Sequence, residues 1–466
     1  MKVSCALLSV SMFCLALPGC KSVSPDAGFA DVRAAALARL GKDIHWNNGS
    51  SEDQAVAQTL HSMLEKELTF DEAIQIALLN NRRLQSEYAT LGIAQADLVQ
   101  AGLLKNPGFS GNILPPVGGG GPALVGLDLA KDFLDVLFMP KRKRAAAAQF
   151  EATKARVTAA VLRVAADTQF AFYELQAAQQ LQEFWQATVK ATEATLMTTE
   201  KMHQAGNGTK LDVGLERAQH NQAKLGLAQA ETAAVQTRER LTSLMGLWGK
   251  AASSWKVAPR LPEIPVEELP TQEIEKRVIE QNLNLAASRH ELEALAQQRG
   301  VTKLASILPT LEAGVTAERE DDGKWFVGPS LGLEIPIFDQ GQAKRAKARA
   351  EIRRAMEAHA ALAVELRSTA RATVHRLTQA RARALFLRDE MLPLRQENLS
   401  QTQLQYNAMQ IGVFALLQSK RDQIETARQY IETLRDYWKA RAAVEQLQAG
   451  LSQSEPMSGI LNDKSE

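Results

Sequence analysis

A mainly α fold with a small β part, made from one plan used twice, is what this chain predicts, and three observations predict it. Long tracts dominated by Ala, Gln, Glu, Leu, Lys and Arg accompany an aromatic content of only 5%, the composition of extended helices rather than compact cores. Just ahead of the longest tracts, hydrophobicity switches from a helical period to a period of two. The same order of landmarks then recurs roughly 200 residues further along the 466-residue chain.

The start predicts export. Lys2 gives a positive n-region, Val3 to Leu17 is mostly apolar, and turn-forming residues precede Cys20, the layout of a removable signal peptide over residues 1–19. Leu17-Pro18-Gly19-Cys20 resembles a bacterial lipobox, which implies that the Cys20 thiol is diacylated and becomes the first mature residue. Pro18 departs from the usual pattern of that box, and an ordinary signal cut elsewhere is the competing reading. All three cysteines lie in the first twenty residues, so a mature chain keeps at most one and forms no internal disulfide. By resemblance to sorted lipoproteins, Lys21 directs the chain to the outer membrane.

Beyond Leu17 no run of 18 apolar residues appears, so no transmembrane helix is predicted, and a spanning part would have to be a closed β-barrel. A formal net charge of +1 points to no nucleic-acid partner.

After an N-terminal extension (20–67), the first repeat is expected over 68–250 and the second over 271–451, with a linker at 251–270 and a C-terminal tail at 452–466. The copies open near Thr69 and Thr271. Asn81-Arg82-Arg83-Leu84 matches Asn282-Leu283-Asn284-Leu285 within a helical stretch, and Asn106-Pro107 and Leu308-Pro309 end the two first helices. Each copy then enters a long helical tract, Lys141 to about Met202 and Gln342 to about Met409. Ala205-Gly206-Asn207-Gly208 and Ile411-Gly412-Val413 interrupt these tracts before a further helix, which runs to about Leu247 and about Leu451.

Strands are expected at about 107–134 and 310–336. Leu311, Ala313, Val315 and Ala317 alternate with Glu312, Gly314, Thr316 and Glu318. After Asp321-Asp322-Gly323 the odd positions Trp325, Val327, Leu331, Leu333 and Ile335 continue one apolar face. The first copy is less clear: Gly108 to Leu114, a loop with Gly118 to Gly121, then Ala123, Val125, Leu127 and Leu129. Pro329 removes one ladder hydrogen bond and marks an edge or bulge. Four strands per chain cannot close a barrel; two chains would give eight strands and a filled interior, and three would give twelve and a lumen. A trimer is the simplest assembly that makes the hairpins useful.

Val157, Val161, Val164, Thr168, Ala171 and Leu175 alternate spacings of four and three, the seam of a helix packed in coiled-coil fashion. About 60 to 70 residues at 1.5 Å each make a rod on the order of 100 Å.

This plan resembles the outer-membrane efflux protein (TolC-like) family from about Leu68 to Gly450. The likeness rests on the duplicated order of elements, Asn106-Pro107, the Leu333 to Gly341 segment leading into the second long helix, and the glycine-centred turns before Leu211-Asp212-Val213 and Leu416-Leu417. The resemblance implies a trimeric α-barrel continued by a twelve-stranded transmembrane β-barrel. It also implies a homotrimer in the outer membrane that meets an inner-membrane pump through a periplasmic adaptor. The turns that would dock the adaptor are Ala205, Gly206 and Asn207 with Ile411, Gly412 and Val413, where a direction reversal favours a glycine with positive φ. Candidate aperture-lining residues are Asp212, Gln418, Arg421 and Asp422; Asp212 reads more simply as an early-turn carboxylate matched to the helix dipole. Neutral Gln418 and basic Arg421 stand where the family's cation-holding acids are expected, so a cation-binding aperture is not carried over.

No catalytic residues, resident metal or cofactor are implied. The seven histidines lack metal-binding helical spacings, and Met197, Met202 and His203 near the first turn read as packing before they read as soft-metal ligands. The sequence therefore predicts a passive, non-enzymatic exit duct, lipid-anchored and extending into the periplasm. Small molecules or heavy-metal ions are the favoured cargo. A pore-free coiled-coil scaffold and a polypeptide secretion duct are the alternatives.

Overall fold

The computed structural model describes residues 24, 26–115, 118, 123–306, 310–320 and 322–451. Cys20 and its lipobox, Lys21, Gly119 to Gly121, Leu308-Pro309, Asp321 and the 452–466 tail lie outside them. The described elements run α1 (Phe29–Leu40), α2 (Ser51–Leu64), β1 (Glu67–Leu68), α3 (Phe70–Asn80), α4 (Arg82–Ala101), β2 (Gly108–Leu114), β3 (Leu124–Asp132), α5 (Leu134–Gln204), α6 (Lys210–Leu244), α7 (Lys250–Ser254) and β4 (Lys256–Val257). They continue with α8 (Ile274–Gln281), α9 (Leu283–Ala305), β5 (Leu311–Arg319), β6 (Trp325–Leu333), α10 (Gln342–Phe386), a π-helical turn (Leu387–Met391), α11 (Leu392–Asn407) and α12 (Val413–Ala449). The described residues form two compact units: one from those within 1–29, 90–153 and 290–354, the other from those within 30–89, 154–289 and 355–466.

The larger unit is helical and centres on one apolar cluster. The heptad seam enters it: Val157, Val161, Thr168, Ala171 and Leu175 are buried, and Val164 packs partly buried against the same core. Tyr173 and Trp438 stack at 5.2 Å, and Tyr437 meets Trp438 edge-on at 5.3 Å. The 251–270 connection is a packed strap. Trp255 is fully buried with the Arg238 guanidinium 4.0 Å over its ring, and Leu261 and Ile264 enter the core. Trp438 Nε1 donates to Pro262 O at 2.9 Å. Farther along the strap, Glu268 accepts from Tyr437 Oη at 2.9 Å and from Arg441 Nη1 at 2.6 Å. Burial and the adjoining Glu268 carboxylate push the Tyr437 phenol up to about 12.

The first repeat opens at Thr69 and the second two residues beyond Thr271. Thr69 caps α3 with a full capping box to Glu72. In the second copy the cap is Glu273, with φ +53°, and the helix starts at Ile274, after Thr271. Asn81 and Asn282 do not sit within a helix; each breaks it, with ψ of 116° and 122°. The reason is local competition: each Oδ1 accepts the backbone N–H three residues on, Leu84 at 3.0 Å and Leu285 at 2.9 Å, and so starts a new helix. The first helical stretch ends at Ala101, ahead of Asn106-Pro107.

The long tracts also differ. α5 begins at Leu134, where Asp132 Oδ1 accepts the Leu134 N–H, and carries Pro140 inside its second turn at the cost of one ladder hydrogen bond. From sequence the second tract reads as uninterrupted, which overlooks Pro393. A proline cannot donate to the helical ladder and crowds the carbonyl one turn back, and the π-helical turn at 387–391 precedes it.

Residues 30–67 of the N-terminal extension belong to the larger unit. Arg39 Nη1 donates to Ala449 O at 2.6 Å and to Gln281 O at 3.1 Å, placing one cation on the C-terminal carbonyls of two helices.

In the smaller unit, Asp135 ties the end of α4 to the start of α5. Its side chain is 1% exposed, pairs with Arg142, and accepts the Lys105 N–H at 2.9 Å. Burial raises its pKa, but the Arg142 hydrogen bond and the Lys105 N–H lower it more, so the net shift is downward. A depressed carboxylate contributes stability above its unfolded value of about 3.9 and loses it as pH falls through the folded value. Hydrogen exchange at Leu103 to Arg142 is therefore expected to accelerate below about pH 4 in the wild type. Asp135→Asn should already show fast exchange at neutral pH; wild-type protection unchanged down to pH 2 would refute the clamp.

Candidate functional site: the four-stranded sheet and the helical turns

In the smaller unit the strands form one antiparallel sheet in the order β2-β3-β5-β6, so the two hairpins meet along β3 and β5. The register puts directly opposite residues on one face. Phe109 faces Leu129, which faces Val315, which faces Pro329; Ile113 faces Val125, and Ala317 faces Leu127 and Val327. One odd-numbered face, apolar except for Lys131 and Arg319 near strand ends, thus runs across all four strands, with Val327 67% and Leu331 75% exposed. The even-numbered face is mostly small or polar, with Leu114, Leu124 and Phe326 as apolar exceptions, and carries Asp128, Asp132, Glu312 and Glu318 with no Lys or Arg. Thr316 Oγ1 donates to Asp128 across it. Gly314 is required there, because a Cβ would collide with the Leu129 carbonyl and approach Ser330 Oγ. Pro329 lies in β6, an edge strand of the sheet, where the missing N–H is tolerated. The free edges of β2 and β6 have no partner within the chain's sheet.

In the larger unit, α5 and α6 are joined by a turn in which Gly206 takes φ +82° and Asn207 N donates to Met202 O at 2.8 Å. Thr209 then caps α6. Its N–H donates to Asp212 Oδ2 at 2.7 Å, and its Oγ1 accepts the Asp212 N–H at 3.2 Å. Asp212 is thus the acid of a capping box. His203 Nδ1 lies 2.8 Å from Gly208 O, a contact within the same turn.

The second turn has the same hydrogen bonds and a different residue at its bend. Gln410 N donates to Gln405 O at 2.9 Å, and Met409 carries the positive φ of 58°. Gly412 has φ −79° and is the N-cap of α12, the position Thr209 holds in the first copy. The expectation that Gly412 supplies a positive φ is therefore corrected: the left-handed residue lies three positions earlier. A side chain in that conformation costs about 1–2 kcal/mol. Met409→Gly should accordingly raise the urea midpoint, by an amount on the order of 1 kcal/mol; a lowered midpoint would contradict the strain.

The aperture candidates form two links. Arg421 Nη2 donates to Glu216 Oε1 at 2.6 Å, joining α12 to α6, and the Glu216 side chain is only 3% exposed. Asp422 accepts from Gln418 Nε2 at 2.8 Å and from Arg395 Nη1 at 3.1 Å, joining α12 to α11. Glu216 and Arg395 were not among the sequence candidates. The spacing of Glu216, one turn beyond Asp212, was the available signal. The structure does not bring Asp212 into either link.

A family model described as "Outer membrane efflux protein" matches residues 138–247. The fold matches CusC, a solved channel-forming membrane protein, with a TM-score of 0.67 at 14% identity, over 84% of this chain and 94% of that one. It matches the outer membrane channel CmeC of Campylobacter jejuni with a TM-score of 0.66 at 15% identity, over 95% of both chains. The fold is that of these solved channel proteins, and residues 138–247 match the outer membrane efflux protein family. In sequence, the chain is 23% identical over 248 residues to the cobalt-zinc-cadmium resistance protein CzcC of Cupriavidus metallidurans. That match spans 52% of this chain and 57% of CzcC. Among the described residues, no helix is long and apolar enough to cross a membrane, and no group of three or more His, Cys, Asp or Glu could hold a metal ion.

Proposed function

We propose that this protein is the passive outer-membrane exit duct of a tripartite efflux system. The observation that carries the proposal is the sheet: one predominantly apolar face, one predominantly polar face and two free strand edges. Three chains joined edge to edge would bury those edges in a twelve-stranded barrel, the apolar face toward lipid and the polar face toward a lumen. The strands hold seven to nine residues, close to the span of a tilted membrane strand. The turns at Ala205 to Asn207 and Ile411 to Val413 would dock a periplasmic adaptor, an inner-membrane pump would supply the energy, and Cys20 would carry the lipid anchor.

Heavy-metal cations are the favoured cargo. The acidic even face supports them, as does the likeness to a protein named for cobalt, zinc and cadmium resistance. The cations would be substrate in transit, since no group of three or more metal-ligating residues lies among the described residues.

Negative-stain imaging of the detergent-extracted protein tests the assembly. A threefold cylinder on the order of 100 Å is expected; single rods or monomers would favour a pore-free scaffold. Loss of cobalt, zinc or cadmium tolerance on deleting the gene tests the cargo.

A further inference from the structure

Each sheet hairpin is followed by exposed apolar residues and then by a cluster of cations. After β3 come Phe133, Val136 and Leu137, then Lys141-Arg142-Lys143-Arg144; after β6 come Ile335, Ile337 and Phe338, then Lys344, Arg345, Lys347 and Arg349. All belong to the smaller unit. The apolar residues are 46% to 93% exposed and continue the strands whose odd face is apolar.

The cations are poorly matched within the chain. Arg142 is committed to Asp135, while Lys344 and Lys347 have only loose, exposed ion pairs at 3.6 and 3.9 Å. Lys143, Arg144, Arg345 and Arg349 make no ion pair among the described residues. α10 has no acid in its first turn, where Lys344 and Arg345 stand, although the positive end of the helix dipole disfavours cations. The arrangement works against the isolated helix and is relieved by an external anion.

Geometry names the anion. Four consecutive helical residues, 141–144, point in directions about 100° apart, so some cations face outward whichever side another chain covers. Lys143 lies six residues past Leu137, about 9 Å along the helix, and the headgroup layer on each side of a bilayer is about 5–8 Å thick. Cations that distance beyond an apolar membrane-facing edge stand at the depth of lipid phosphates, and polybasic segments beside a membrane bind anionic headgroups.

We infer that the two basic clusters form a collar that binds anionic phospholipid headgroups of the periplasmic leaflet around the duct. The collar rests on the membrane-inserted reading above. It would orient the barrel at its periplasmic rim and concentrate anionic lipid there.

The test is reconstitution of the full-length protein into nanodiscs of phosphatidylglycerol and phosphatidylcholine at about 1:3, followed by detergent re-extraction and mass spectrometry of the lipid that stays bound. Wild-type protein should retain phosphatidylglycerol enriched about two-fold or more over the bulk ratio, and the enrichment should fall in high salt. Lys143→Gln/Arg144→Gln/Lys344→Gln/Arg349→Gln should return to the bulk ratio, while Lys143→Arg/Lys344→Arg keeps the enrichment. Incorporation of both proteins with equal enrichment, or with none, would overturn the collar and leave the duct standing. Failure of the wild type to incorporate at all would overturn the membrane reading and the collar with it.

Discussion

Val327→Arg should remove the protein from the outer membrane, whereas Gly328→Arg, one residue on, should leave it there. Val327 sits on the odd face opposite Ala317 and is 67% exposed, so in a barrel its side chain would meet lipid. An arginine near the midplane of a lipid-facing strand costs about 2–4 kcal/mol, repeated three times in a trimer. Gly328 points the other way, and a Cβ there meets nothing within 4 Å. Its arginine would stand among the polar residues of a wetted lumen. Fractionation and heat-modifiable gel mobility would compare the two variants with wild type. Equal membrane recovery would mean that the odd face does not contact lipid, and the scaffold reading would then gain.

Removing one half of the Glu216–Arg421 pair should have the next largest effect. In Arg421→Met the Glu216 carboxylate, 3% exposed, loses its cation, and breaking a buried pair in this way costs about 3–5 kcal/mol. Glu216→Leu/Arg421→Met should recover most of that loss, because two apolar side chains leave no buried charge. The pair joins α6 to α12 beyond their turns, so a reconstituted duct with the single substitution should also conduct more in the absence of partners. Thermal unfolding of the four proteins in a double-mutant cycle, with planar-bilayer conductance alongside, reads both quantities. A coupling energy below about 0.5 kcal/mol would show that the contact holds nothing.

The sheet and the turns were legible in the sequence to different degrees. Alternation at Leu311 to Ala317 and Trp325 to Leu333 survives because strand side chains alternate faces whatever the partner strand is. The seam from Val157 to Leu175 was readable for a similar reason, with helical periodicity marking the buried face. Gly206 showed its turn because a left-handed bend favours glycine. In the second turn the positive φ falls on Met409, not on Gly412, for the complementary reason. Met409 occupies a conformation its side chain disfavours, and only the surrounding helices and their hydrogen bonds hold it there.

The sequence by itself determined the duplicated plan, the two faces of the strands, the helical seams and the approximate turns, because each is written in the spacing of neighbouring residues. Tertiary structure decided what spacing cannot encode. It joined β3 to β5 and so made two hairpins one sheet. It turned Asn81 and Asn282 from helical residues into helix breaks, with Asn81 Nδ2 donating to Leu244 O at 2.7 Å. It also paired Glu216 with Arg421, 205 residues apart, and Arg39 with the carbonyl of Ala449, 410 residues apart. Such contacts are selected by burial and by the need to satisfy polar groups once the chain has closed on itself, and no local pattern records them.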